Sequence, residues 1–273
     1  MFTRLLKHEI KATGRIMPFV YLAMVVMLAG NMLIQRMELA WLSGLLLVLL
    51  ILLSVAVVLL TYVLVITRYY RHLYGKEGYL TQCLPVRPGQ LYASKLLVAT
   101  GWLLLSFLLS TMVMLLIISR SAADSGLSLG GMAAELLRQT GLSAGQAVAL
   151  VSAVFIWMLL EMVYALAQIY FSISLGCMSR FHNLGIAAPI IFYLVLNFLL
   201  QMALLAAMLF VPLGLTYRDG GIHLIGRGMI SMILHPEQYP FVFGLGSLLF
   251  VLLALAGLIW GTRRMLARHT SLR

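Results

Sequence analysis

Residues 41–66 read WLSGLLLVLLILLSVAVVLLTYVLVI, an unbroken apolar run without a charged side chain. A helix needs about 20 mostly apolar residues to cross the hydrocarbon of a bilayer. Lipid offers no partner to free backbone groups, so such a run must satisfy its own hydrogen bonds as a helix. Five further stretches obey the same rule, at roughly 16–34, 96–118, 147–175, 186–213 and 241–261. A membrane β-barrel would need alternating segments of about ten residues and is excluded. The 41–66 and 147–175 runs exceed the minimum and must tilt or project. The expectation is an all-α membrane protein of six transmembrane helices.

Composition agrees with that reading. Of 273 residues, 63% are hydrophobic and 10% charged, with a mean hydropathy of +1.04. Average chains carry about 25% charge, so a tenth is too little for the skin of a soluble globule. Disorder needs low hydrophobicity and high charge, and is excluded as well.

The net charge of +11 would point to nucleic acid in a soluble chain, but here position explains it. One side of the six-span layout carries Arg4, Lys7, Lys11 and Arg15, then Arg68, Arg71, Lys76, Arg87 and Lys95, then Arg180, and finally Arg263, Arg264, Arg268 and Arg273. That is 14 of the 19 basic residues. The positive-inside rule then puts both termini in the cytoplasm. The cell membrane is the expected location, and no nucleic-acid partner is expected. No cleavable signal peptide is evident, because the first apolar run follows a basic arm and is long enough to stay as a span.

Residues 1–15 read as an amphipathic interfacial helix, preceding a single transmembrane domain at 16–273. Phe2, Leu5, Leu6 and Ile10 share a face, and Arg4, Lys7 and Lys11 lie elsewhere, near lipid head groups. The plainer alternative is a topology anchor. Residues 67–95 form the longest cytoplasmic segment. A short helix over 76–84 is expected to stop at Pro85, and a second to begin near Pro88 and run into the third span. A helix, a break and a helix are more than a linker needs, and suggest a docking platform.

On the other side, a short helix is expected over 132–139. Ile222, Ile225, Met229 and Ile233 suggest a helix at the outer interface, closed by His235-Pro236.

Glu77-Gly78-Tyr79-Leu80, then Leu84-Pro85-Val86, then Leu91 to Lys95 leading into a span, resembles the first cytoplasmic loop of ABC-2-type exporter permeases. Residues 168–176, Gln168 to Gly176, are similar to the end of the fourth span in that family. Six spans with both termini inside match its layout. The resemblance implies a separate ATP-binding cassette ATPase subunit, which would bind ATP and Mg, and a second permease subunit in a homo- or heterodimer. It implies that Glu77, Gly78, Tyr79, Leu80, Leu84 and Pro85 couple to the ATPase. It places a second, smaller contact in residues 176–185, around Arg180 and His182, and rests the N-terminal helix against the ATPase.

Motif chemistry within the chain is sparse. No G-x-x-x-x-G-K-S/T phosphate cradle occurs, so ATP hydrolysis is expected in a partner and the chain is not expected to be an enzyme. Gly141-Leu142-Ser143-Ala144-Gly145 matches G-x-S-x-G, but that mechanism needs a preceding strand, and a helical stretch precedes it here. The six histidines are scattered, so no metal site is expected.

Glu161 is the one acid inside a span. Such groups face the bundle interior or a cavity, so Glu161, with Asn197 and Gln201, forms the candidate substrate path. The plainer reading is packing, with Tyr164, Gln168 or Asn197 as partner to Glu161. Asn31, Asn197 and Gln201 also suit helix-to-helix bonding, and Gly257 and Gly261 close helix packing. Met24, Met27, Met202 and Met208 suit either apolar filling or a tolerant cavity. The functional expectation is an exporter permease for amphipathic or hydrophobic substrates, peptide or drug-like. The alternative is a proton-coupled secondary transporter working through Glu161.

Overall fold

The computed structural model describes residues 2–37, 40–75, 78, 86–124, 126, 128–141, 143–178, 181, 184–185, 187–212, 214–218, 221–226 and 242–268. The elements run α1 (Phe2–Thr13), α2 (Met17–Arg36), α3 (Ala40–Tyr74), α4 (Pro88–Asp124), α5 (Leu129–Thr140), α6 (Ala144–Gly176), α7 (Ala187–Phe210), β1 (Gly214–Arg218), β2 (Gly221–Ile225), β3 (Val242–Gly244) and α8 (Gly246–Arg268). Six helices, α2, α3, α4, α6, α7 and α8, are long and apolar enough to cross a membrane. The chain is a multi-pass helical membrane protein.

The spans are longer than their apolar runs where nothing stops them. α3 continues through Thr67–Tyr74, and α4 starts at Pro88 and runs unbroken into its span. Helix thus occupies 67–74 and 88–95 of the segment 67–95, and the start at Pro88 is the one expected. Gly75 ends α3, its N–H donating to the carbonyls of Tyr70 and Arg71 at 3.2 Å each. A Cβ there would lie 2.6 Å from the Arg71 carbonyl oxygen, so a side chain would force the backbone to shift. Proline suits the start of α4, where its missing N–H has no partner to lose. Apart from Gly78, the expected helix over 76–84 lies outside the described residues. The expected helix over 132–139 is present as α5.

The segment after α7 departs from expectation. Residues 214–218 and 221–225 form an antiparallel pair, β1 with β2, and β1 also pairs with β3 in the order β2-β1-β3. Ile222 and Ile225 therefore lie on a strand and not on a helix; Met229 and Ile233 lie outside the described residues. The register Arg218↔Gly221 leaves Asp219-Gly220 between the strands, a dipeptide that strongly favours a hairpin. β3 likewise takes residues expected in the last span, and α8 begins at Gly246.

The chain forms two compact units, Met1–Leu136 and Leu137–Arg273. In the first, α3 packs against α2 and α4, and α1 packs against α4. Its core holds Met24, Leu50, Val57 and Val113, so Met24 serves as core filling. In the second, α6, α7 and α8 pack pairwise around Tyr164, Ala167, Val251 and Leu258.

Steric fit is close in the second unit. A Cβ on Gly176 would lie 2.5 Å from the Pro189 nitrogen, and one on Gly261 2.7 Å from the Phe171 ring. One on Gly246 would collide with the Ala207 carbonyl oxygen, whereas Gly257 faces open space. Of the expected glycine pair, Gly261 alone marks a close contact. At the end of α8, the Arg264 guanidinium lies 5.2 Å from the centre of the Trp260 ring, a cation–aromatic pair suited to a membrane boundary.

Candidate functional site

The basic N-terminal arm contains one acid, and that acid organises the first unit. Glu9 of α1 accepts from two cations, one at each carboxylate oxygen. Arg68 Nε of α3 donates to Oε2 at 3.0 Å, and Lys95 Nζ of α4 donates to Oε1 at 2.6 Å. The Lys95 side chain is only 4% exposed and that of Glu9 14%. Burial alone would push the Glu9 carboxyl up; the charges and hydrogen bonds of Lys95 and Arg68 outweigh it and hold it below its ordinary 4.5. Removing one member of such a cluster is costly, because the remaining buried charge loses an opposite charge.

One turn on, Trp102 Nε1 of α4 donates to Thr13 Oγ1 at 2.7 Å, and that hydroxyl donates to the Glu9 carbonyl at 2.8 Å. Arg68 and Lys95 lie on the two helices that flank residues 75–87. The clamp thus ties both flanks of that segment to α1.

A polar seam continues through the unit. The hydroxyls of Tyr21 and Thr61 each lie 2.8 Å from that of Ser106. Ser110 Oγ donates to the Ser54 carbonyl at 2.9 Å. Asn31 Nδ2 donates to the Ser43 carbonyl at 3.2 Å, so Asn31 does join helices. These groups sit on inward stripes of 3.6-residue period, with Ser54 and Thr61 buried on α3 and Lys95 and Ser106 buried on α4.

The residues expected from sequence are less gathered. Glu77, Tyr79, Leu80, Leu84, Pro85, Arg180 and His182 lie outside the described residues. Gly78 is buried, and its N–H donates to the Gly75 carbonyl at 2.8 Å. Glu161 and Asn197 are partly buried, and Gln201 is exposed. Each follows a residue packed on the core of its unit, namely Leu160, Leu196 and Leu200, and so is turned about 100° away from it. Among the described residues, no side-chain hydrogen bond joins Glu161, Asn197 and Gln201.

Ser143 has a local role. Its Oγ accepts from the Gln146 N–H at 3.3 Å, and Gln146 Oε1 accepts from the Ser143 N–H at 2.9 Å. This capping box opens α6.

Comparison with known protein families, curated proteins and solved structures gave no match.

Sequence reasoning missed the clamp. The available signals were an acid alone in a basic arm, and a lysine at the mouth of a span four residues before Ala99 on a buried stripe. Neither signal identifies the other as its partner.

Proposed function

We propose that this chain is the transmembrane permease subunit of an ATP-driven exporter of the ABC-2 type, working as a dimer of permeases with a separate ATPase pair. In this reading both termini are cytoplasmic, α1 lies in the membrane interface, and residues 76–85 dock on the ATPase. The cargo is amphipathic or hydrophobic, in keeping with spans that hold one acid.

The observation that carries the reading is the Glu9 clamp. A docking segment does work only if its motion reaches the spans, and the two states must differ in their contacts. Arg68 and Lys95 bind one carboxylate, so load entering at residues 76–85 would reach α3 and α4 together, with α1 moving alongside. The Glu77–Leu80 and Leu84–Val86 elements supply the expected docking chemistry.

The test is co-purification of an ATPase partner, followed by ATP hydrolysis of the reconstituted complex. Glu77→Ala and Gly78→Pro should lower hydrolysis in the complex while membrane insertion stays normal. Normal hydrolysis in both variants would refute the coupling role. Absence of any ATPase partner, together with proton-coupled uptake abolished by Glu161→Gln, would replace this reading with a secondary transporter.

A further inference from the structure

Beside the clamp, the first unit holds a cleft of about 230 Å³ between the end of α1, the start of α2 and the last turns of α3. Thr67, Arg68, Arg71 and His72 line one part, and Ile16 and Leu64 another. The chemistry is graded along one helix face. Leu60, Leu64, Thr67 and Arg71 recur at i, i+4, i+7 and i+11 of α3, so the stripe runs from hydrocarbon through hydroxyl to guanidinium. Beyond the cleft, α2 and α3 each carry exposed apolar side chains within a turn of its lining residues. Leu60 is 43% exposed, and Phe19, one turn past Ile16, is 72% exposed.

The neighbouring acid does not cancel this positive end. Both Glu9 oxygens already accept, from Arg68 and from Lys95. Arg68 spends its Nε–H on Glu9, and a guanidinium carries five N–H donors. Arg71 is exposed at the rim. A ligand suited to this shape has an anion with several acceptor oxygens at one end and hydrocarbon at the other. Arginine binds phosphate in a fork.

We infer that the cleft binds the phosphate of an anionic membrane lipid, with the acyl chain lying along Leu60 and Phe19. Inorganic phosphate would satisfy the basic end and leave the apolar walls unused. The proposal does not depend on the transport reading, and its failure would leave that reading intact.

The test uses the full chain in detergent, stripped of lipid. Retention of phosphatidic acid and of phosphatidylcholine with the same chains is measured by native mass spectrometry. Phosphatidic acid should be held about tenfold more tightly. Arg71→Gln should remove most of that preference. Arg87→Gln, the same charge change outside the lining, should keep it, and millimolar inorganic phosphate should not displace the lipid. Thermal unfolding of both variants checks that they are folded. Equal retention of the two lipids would overturn the inference, as would equal losses from Arg71→Gln and Arg87→Gln. Displacement by inorganic phosphate would instead mark a free-phosphate site and overturn the lipid assignment.

Discussion

The two units solve the same problem by different means. Lipid tails are as apolar as leucine, so helices in a bilayer gain little by hiding apolar surface from one another. The first unit joins its helices by directed bonds, from the Glu9 clamp through Thr13–Trp102 and Tyr21–Ser106–Thr61 to Asn31–Ser43. Among the described contacts of the second, close fit stands out, with glycines at Pro189, Ala207 and Phe171 letting backbone and ring approach closely. Directed bonds specify which residue faces which, and they respond to charge and pH. Steric fit specifies distance and is indifferent to both.

The largest expected effect falls on the directed side. Glu9→Ala removes the carboxylate to which the buried Lys95 and Arg68 donate and should cost about 3 kcal/mol, seen as earlier thermal unfolding of the chain in detergent. Adding Lys95→Met should recover part of the loss. An unchanged unfolding midpoint in the single variant would erase the contrast between the units.

Next comes the steric side. Gly176→Ala forces a methyl group against Pro189 and should cost about 2 kcal/mol. Gly257→Ala, which meets nothing within 4 Å, should be neutral or slightly stabilising, because glycine inside a helix costs about 0.5–1 kcal/mol relative to alanine. Similar behaviour of the two variants would show that fit is not what holds the second unit.

Ser106→Ala removes the hydroxyl between Tyr21 and Thr61 and should cost about 1 kcal/mol, read from the same unfolding curves. A silent substitution would confine the directed bonding to the clamp.

The smallest effect concerns pH. Glu9 has a lowered carboxyl pKa in the folded chain, so its contribution is fully present above the ordinary 4.5 and is lost as the pH falls through the lower, folded value. Glu9→Gln should flatten the stability profile in that acid window. An unaltered profile would show that the carboxylate is not the group titrating.

The spans were legible because bilayer thickness acts on contiguous residues, and contiguity is what a sequence displays. Their ends were less so: Thr67–Tyr74 is polar yet helical, since its residues contain no glycine or proline until Gly75. The hairpin is hidden in the sequence because Ile222 and Ile225 are three apart, a spacing that suits a helix as well as it suits chance, while Asp219-Gly220 carries the stronger turn signal. The clamp joins residues 9, 68 and 95, and no local pattern links such distant positions. Periodicity tells which face of α3 carries Thr61, but not that Ser106 will meet it.

α3 and α4 contain 35 and 37 residues, about 52 and 55 Å of helix against about 30 Å of hydrocarbon. Their adjoining polar ends, 67–74 and 88–95, each add about 12 Å. The pair therefore forms a cantilever, with its brace at the root: Arg68 and Lys95 lie where the polar extensions meet the apolar runs. A push at the free tip cannot slide one helix past the other without pulling a cation off the shared carboxylate. Under the proposed coupling it would be delivered as a common tilt, with α1 as the strut that tilts with it.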